Sequence, residues 1–139
     1  IAASFDNLGA VTMSTTIKTV NIKLKRAYDP PEPADGIRIL VDRLWPRGVK
    51  KVDAAIDQWM KDIAPSADLR NWFGHDPVRW EEFCERYAAE LGQHPEQLEQ
   101  LRELARKGPI TLVYSARDEA HNDAVALRAF ILGRKKETR

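Results

Sequence analysis

Three arginines stand in two polar segments of the sequence, and arginine is the side chain best suited to hold an anion. Arg43 and Arg47 belong to the segment 42–48 (DRLWPRG), and Arg117 belongs to the segment 115–118 (SARD). A guanidinium group stays charged and presents a planar fork of N–H donors that fits carboxylate or phosphate oxygens. We therefore predict an anion site in which these arginines bind a phosphorylated or nucleotide-like small molecule.

Trp45 lies between the two arginines of the first segment and is a candidate for stacking on a base or a sugar. Asn122, shortly after the second segment, joins the predicted ligand-binding set. Two structural alternatives stay open at this point. Trp45 could instead plug the end of a sheet, and Arg43 could pair with Asp42 or Asp118.

His121 and Asp118 are the candidate pair for proton transfer. A histidine titrates near neutral pH, and an aspartate three residues earlier is close enough to orient it or stabilise its charge. The alternative is that Asp118 caps the following helix and His121 bonds to the backbone. His75 is a further candidate ligand-binding residue, although Asp76 and the proline after it are typical of a helix start.

Other chemistries find little support in the sequence. It contains neither a Gly-x-Gly-x-x-Gly motif nor a P-loop motif, and Ser115 lacks the flanking glycines of a strained nucleophile turn. The three histidines and the single cysteine show no metal-ligand spacing, so no resident metal is expected. Mg²⁺ would enter only together with a phosphorylated ligand. No particular cofactor is implied.

The two polar segments follow apolar runs that are typical of strands. Ile37–Val41 and Ile110–Tyr114 are nearly continuous in apolar residues, as in strands buried on both faces. Val20, Ile22 and Leu24 alternate with polar residues, as in a strand nearer an edge. If the two apolar strands are parallel, both polar segments lie at the carboxyl edge of one sheet, where open α/β folds bind ligands.

Four helices are predicted around this sheet from apolar spacing, capping residues and breakers. They cover residues 53–63, 77–91, 95–107 and 119–132, with Asp53 and Asp76 as caps and Gly92 and Gly108 as stops. The sequence therefore predicts an α/β fold, a single domain with a small, largely parallel sheet covered by about four helices.

Composition limits the class of protein further. The 139 residues suit one domain, and 43% hydrophobic with 31% charged residues is typical of a globular protein. A net charge of +1 gives no overall positive field, so a nucleic-acid partner is possible but not favoured. No apolar run approaches the roughly 20 residues that cross a bilayer. One cysteine, Cys84, excludes an internal disulfide, and a cytoplasmic protein with no membrane partner is expected.

The ends of the chain are assigned separately from the domain. Residues 1–12 precede Met13 and show no clear period, which predicts a leader or a disordered segment. The domain is placed at residues 17–132. Residues 133–139 are predicted to form a frayed basic tail.

Three motifs, taken in order, closely resemble the YeaO-like family of uncharacterised bacterial proteins, the DUF488 domain. They are residues 41–48 (VDRLWPRG), residues 72–77 (WFGHDP) with Trp80 and Phe83, and residues 114–118 (YSARD) with His121 and Asn122. The resemblance spans Ile17 to Leu132 and implies a bacterial protein without an established activity. In many members a lysine stands where this chain has Arg117, so a role for a titratable amine is not carried over to this position.

Two functions remain open on the sequence alone. One is a small enzyme or ligand-binding domain that acts on a phosphorylated or nucleotide-like molecule. The other is a non-catalytic module that binds nucleic acid or protein. The surface patch of that module would consist of Trp45, Arg47, Lys50 and Lys51. A concave pocket that unites Arg43, Arg117 and His121 would favour the first function, and side chains spread over a convex face would favour the second.

Overall fold

The computed structural model describes Lys18 and residues 21–133. The predicted leader, the Val20 part of the first predicted strand and all but the first residue of the predicted tail lie outside the described residues. The strands are β1 (Ile22–Arg26), β2 (Ile37–Leu40), β3 (Gln58–Trp59) and β4 (Ile110–Tyr114), and the α-helices are α1 (Lys51–Ala54), α2 (Ala67–Phe73), α3 (Trp80–Leu91), α4 (Pro95–Lys107) and α5 (Asp123–Ile131). Short 3-10 turns occupy Pro33–Asp35, Lys61–Ile63 and Pro77–Arg79.

The four strands form one parallel sheet in the order β1-β4-β2-β3. Leu112 of β4 lies between Leu24 of β1 and Ile39 of β2. All five residues of β4 are buried, as are the last three of β2. The predicted α/β fold is therefore confirmed, with β2 and β4 in the centre of the sheet and β1 at an edge.

The apolar side chains of α3, which the sequence predicts as the helix 77–91, form much of the core. Trp80, Phe83, Tyr87 and Leu91 of α3 are all buried. Phe73 at the end of α2 stacks on Phe83 with ring centroids 4.4 Å apart. This aromatic layer fixes α2 to α3 and, as described below, also forms a wall of a cavity.

The largest correction concerns residues 53–63, which the sequence predicts as a single helix. Only the four residues of α1 are α-helical in this region, and Lys50 holds the N-cap position in place of the predicted Asp53. Ala55 adopts a left-handed backbone conformation with φ of 50°. This conformation ends the helix after one turn.

The chain after Ala55 extends and adds a strand to the sheet. The N–H of Asp57 donates to the carbonyl of Arg38, and the N–H of Met60 donates to the carbonyl of Leu40, both at 2.9 Å. The apolar residues that suggested a helix, such as Trp59, therefore serve the strand β3 and the turn after it. Helical spacing alone was misleading, because bonds to a distant strand decide this segment.

The helix α2 was not predicted, and its position depends on α3. The hydroxyl of Ser66 caps α2 by accepting a hydrogen bond from the N–H of Leu69. Glu90 of α3 accepts bonds from both the N–H and the hydroxyl of Ser66. Gly74, with φ of 55°, ends the helix. These contacts carry Arg70 of α2 towards the edge of the sheet where β2 and β4 end.

The structure confirms one predicted helix start and corrects another. Asp76 caps the turn that leads into α3, since its carboxylate accepts from the N–H of Val78 at 3.0 Å, which confirms that prediction. The last helix begins at Asp123 and not at residue 119, because Asn122 is its N-cap and accepts from the N–H of Val125 at 3.0 Å. Residues 119–122 belong to the loop after β4.

Gly36 is a position where no other residue fits. Its φ is 65°, and a Cβ built there would lie 2.1 Å from the carbonyl oxygen of Pro109. The next residue, Ile37, donates its N–H to that same oxygen. The close approach at Gly36 therefore helps to align β2 with β4.

Candidate functional site

A cavity of about 680 Å³ opens at the carboxyl edge of the sheet. It is bounded by the loop after β2, the loop after β4, the start of α5 and residues of α2 and α3. Its ionisable lining residues are Asp42, Arg43, Arg47, Arg70, His75, Arg117, Asp118 and Asp123, together with the phenol of Tyr28. Its apolar and amide lining includes Leu44, Trp45, Pro46, Pro65, Phe73, Phe83 and Asn122.

All three predicted arginines line this cavity, and Arg70 of α2 adds a fourth. The four side chains are exposed, and none forms a salt bridge with a described residue. Arg43 donates two long bonds, of 3.3 and 3.4 Å, to the carbonyl of Pro65. It pairs with neither Asp42 nor Asp118 in the part of the chain that the structure describes. The guanidinium groups thus keep most of their donors for a ligand.

Trp45 has a structural role as well as a place in the cavity lining. Its indole N–H donates to the carbonyl of Val49 at 2.7 Å, and its ring packs edge-on against Trp59 with centroids 5.5 Å apart. It joins a small second core with Leu40 and Val113, at the end of the sheet. Because its N–H is already used, Trp45 can offer a ligand only its ring surface.

Asp42 connects the carboxyl ends of the two central strands. Its Oδ2 accepts a hydrogen bond from the N–H of Ser115 at 2.9 Å and one from the hydroxyl at 2.8 Å. Its backbone carbonyl accepts the indole N–H of Trp59 at 2.8 Å. The two polar segments are thus fixed relative to one another by a direct side-chain contact.

Asp42 also forms a side-chain hydrogen bond with Asp123, the first residue of α5. Burial and then the nearby charge of Asp42 raise the pKa of Asp123 well above the usual range of an aspartate. The raised pKa favours the protonated form of Asp123 beside the carboxyl group of Asp42. Sequence reasoning missed Asp123, because an acidic residue in the first turn of a helix is ordinary.

The predicted pair of Asp118 and His121 is in contact, but only Asp118 lines the cavity. Nδ1 of His121 lies 3.0 Å from Oδ2 of Asp118. Hydrogen bonds from the N–H of Ala120 and from the His121 side chain lower the pKa of Asp118. The His121 ring packs edge-on against Trp80, with centroids 5.2 Å apart. The candidate proton-transfer group is thus paired and packed away from the cavity lining.

Asn122 and His75 both line the cavity, but they differ in how many of their polar atoms remain available to a ligand. Asn122 is buried, and its side-chain nitrogen donates to the carbonyl of Asp118 at 2.9 Å while its oxygen caps α5. Both ends of its amide are therefore used for structure. His75 is exposed, has a φ of 57° and places its ring 6.3 Å from that of Phe73. His75 is therefore a lining residue whose exposed imidazole ring can contact a ligand.

Two further observations concern the described residues as a set. They contain no group of three or more His, Cys, Asp or Glu side chains arranged to hold a metal ion. None of their helices has the length and apolar character needed to cross a membrane.

Comparison with known proteins gives the family. The chain is 51% identical to the uncharacterized protein YeaO of Escherichia coli over 108 residues, which cover 78% of this chain and 94% of that protein. It is 38% identical over 118 residues to the uncharacterized proteins Mb3100c of Mycobacterium bovis and Rv3073c of Mycobacterium tuberculosis, which covers 85% of this chain and 99% of each of them. No solved structure matches. The family described as the inactive DUF488-N3 subclade matches residues 21–139. The chain therefore belongs to the YeaO-like DUF488 family, within the subclade described as inactive.

Proposed function

We propose that this protein binds a small phosphorylated molecule in the cavity at the carboxyl edge of its sheet, and that it does so without turning the ligand over. The observation that carries the proposal is the convergence of four arginines on one cavity, none of them in a salt bridge with a described residue. Unpaired guanidinium groups gathered in a concave site favour an anionic ligand.

The charge balance of the lining supports an anion. The four arginines carry four positive charges, whereas the three aspartates of the lining, Asp42, Asp118 and Asp123, carry at most three negative charges. The cavity lining therefore has an excess of positive charge. A phosphate monoester carries roughly −1.5 to −2 charges at neutral pH and three terminal oxygens, so it matches this excess better than a carboxylate does.

Two observations support binding rather than catalysis. The subclade to which the chain belongs is described as inactive. The residue predicted to move a proton, His121, does not line the cavity and is already bonded to Asp118. A general acid or base must reach the reacting atoms directly or through one water molecule. The hypothesis of a small enzyme therefore has less support than that of a binding domain.

The nucleic-acid or protein-binding module also has less support. Lys50 and Lys51 are exposed at the start of α1 and do not line the cavity, whereas Arg47 does. Two of the four residues of the predicted patch, Trp45 and Arg47, thus belong to the cavity lining. We place the protein in the cytoplasm, a proposal that its single cysteine and the phosphorylated ligand both support.

The test is a thermal-shift series on the purified protein with inorganic phosphate, sugar phosphates, nucleotides and short oligonucleotides. A ligand that binds only the native state adds about 2.7 kcal/mol of stability at roughly 100 times its Kd. We expect Arg43→Ala and Arg117→Ala each to reduce that shift strongly. Arg102→Ala is the matched control, since this arginine lies on α4 away from the cavity lining.

The proposal fails if the two cavity variants respond to every phosphorylated compound as the wild type does. It also fails if only oligonucleotides stabilise the protein, in a strongly salt-dependent way. That second result would instead support the nucleic-acid module.

A further inference from the structure

The cavity is larger than a phosphate group alone would require. Its volume of about 680 Å³ lies within the range of sites that enclose whole small molecules, roughly 300 to 1,000 Å³. Phe73 and Phe83, which stack on each other, contribute an apolar wall. A ligand that fills this space must therefore carry a further group besides its phosphate.

The lining contains a second kind of polar group besides the arginines. Asp42 and Asp123 both line the cavity and share a hydrogen bond. Asp42 is held in place by the N–H and hydroxyl of Ser115, and Asp123 is held on the first turn of α5. Each carboxyl group has more acceptor sites than these contacts use. The pair is thus a fixed set of acceptors in a cavity whose lining also holds four arginines.

A phosphate would be repelled by this pair, so a different part of the ligand must meet it. A hydroxyl group suits the pair, because a hydroxyl donates hydrogen bonds and the two carboxyl groups offer acceptor oxygens. An ammonium group suits it less, because four arginines surround the same cavity. Two neighbouring hydroxyls on a sugar ring can each bond to an acidic side chain, as acidic residues do with ribose in nucleotide sites.

We propose, on the basis of the function proposed above, that Asp42 and Asp123 bind the neighbouring hydroxyls of a sugar whose phosphate is held by the cavity arginines. The ligand class is then a ribose-type sugar phosphate, either free or as part of a nucleotide. The apolar wall of Phe73 and Phe83 packs against the carbon face of the sugar or against an attached ring.

The test is isothermal titration calorimetry at constant ionic strength with four probes, inorganic phosphate, ribose 5-phosphate, 2-deoxyribose 5-phosphate and phosphoethanolamine. The wild type should bind ribose 5-phosphate at least about tenfold more tightly than the deoxy compound, because a site built to bond a hydroxyl rejects a ligand that lacks it. In Asp42→Asn this preference should fall to within about threefold. Asp123→Asn should weaken the preference as well.

Asp42→Asn provides an internal check on folding. It removes a negative charge from a cavity that holds phosphate, so the affinity for inorganic phosphate should stay equal or rise. A damaged protein would lose that affinity. Asp29→Asn is the matched control, since Asp29 is exposed and does not line the cavity, and its preference for ribose 5-phosphate should equal that of the wild type.

Each contrary outcome has a separate meaning. Equal affinity for the two sugar phosphates in the wild type, or an unchanged preference in Asp42→Asn, overturns the sugar assignment while leaving the phosphate site intact. Tighter binding of phosphoethanolamine than of ribose 5-phosphate also overturns it, in favour of an amine. If no probe binds the wild type at all, the proposed function fails and this inference fails with it.

Discussion

Glu90 accepts two hydrogen bonds from Ser66, one of 2.8 Å from its N–H and one of 2.6 Å from its hydroxyl. Ser66 in turn caps α2, the helix that carries Arg70 and Phe73 to the cavity. One carboxylate on α3 therefore fixes a wall of the candidate site. Because the contact links two helices over 24 positions of sequence, it acts on tertiary structure rather than on either helix alone.

Glu90→Ala is expected to lower the free energy of unfolding by about 2 kcal/mol, because two donors of Ser66 lose a charged acceptor in a partly buried place. Urea denaturation followed by circular dichroism measures the change. Glu85→Ala on the same helix is the control, since Glu85 is exposed, and its cost should stay within about 0.5 kcal/mol. Equal losses in the two variants would show that the contact with Ser66 contributes nothing.

Gly36→Ala is expected to destabilise the protein more than Gly48→Ala. Both glycines have a positive φ, 65° and 79°, so both variants incur a backbone cost of at least about 1 kcal/mol. The cost is larger at Gly36, whose ψ of −139° places it in a region that essentially only glycine adopts. Only at Gly36 would the new Cβ also meet the carbonyl of Pro109, at 2.1 Å, whereas nothing lies within 4 Å at Gly48. The difference between the two denaturation midpoints therefore measures the contact with Pro109 together with the stricter backbone requirement at Gly36. Equal midpoints would mean that β2 and β4 move apart at no cost.

The raised pKa of Asp123 predicts how the stability of the protein changes with pH. Its pKa is raised in the folded protein by burial and by the charge of Asp42, whereas in the unfolded chain an aspartate releases its proton near pH 4, about its ordinary value. The folded state therefore binds more protons above this pH, and stability falls as pH rises until the folded pKa is passed. The side chain in Asp123→Asn cannot ionise, so the stability of this variant should rise relative to the wild type as pH increases above about 4.

The difference between the two proteins is the quantity to measure, by urea denaturation at a series of pH values. Asp35 and Asp118 have lowered pKa values and contribute in the opposite sense, since the stability they add is lost as pH falls towards those values. They do so equally in the wild type and in Asp123→Asn. Stability profiles that stay parallel across the range would contradict the raised pKa of Asp123.

The sequence predicted the parts of the fold that depend on strong local patterns. The continuous apolar runs indicated the two central strands, and the stripe from Trp80 to Leu91 indicated α3. The prediction for the segment around Trp59 was wrong, because the apolar spacing of the segment fits a helix while its backbone hydrogen bonds go to β2. A strand of two residues has no periodicity of its own and is specified by its partner.

For the site, too, the sequence predicted only those residues that a local pattern identifies. Arg43, Arg47 and Arg117 come soon after strands, and the parallel sheet brings them to one edge, as the strand order implies. Arg70 lies on a helix that was not predicted, and Asp123 reaches the cavity because the last helix begins there, beside Asp42 of another loop. Local sequence identifies the polar residues at the end of a strand, but contacts between separate loops require the folded structure.

The most direct test of the account is an NMR titration of the ¹⁵N-labelled protein with ribose 5-phosphate, with sodium chloride at matched ionic strength as the control. The arginine Nε–H signals of Arg43, Arg47, Arg70 and Arg117 and the backbone amides of 42–48 and 115–123 should shift together and saturate, while chloride leaves them in place. Shifts spread over exposed lysines such as Lys50 and Lys107, or no saturable shift at the cavity, would contradict the claim that this edge of the sheet holds a phosphorylated ligand.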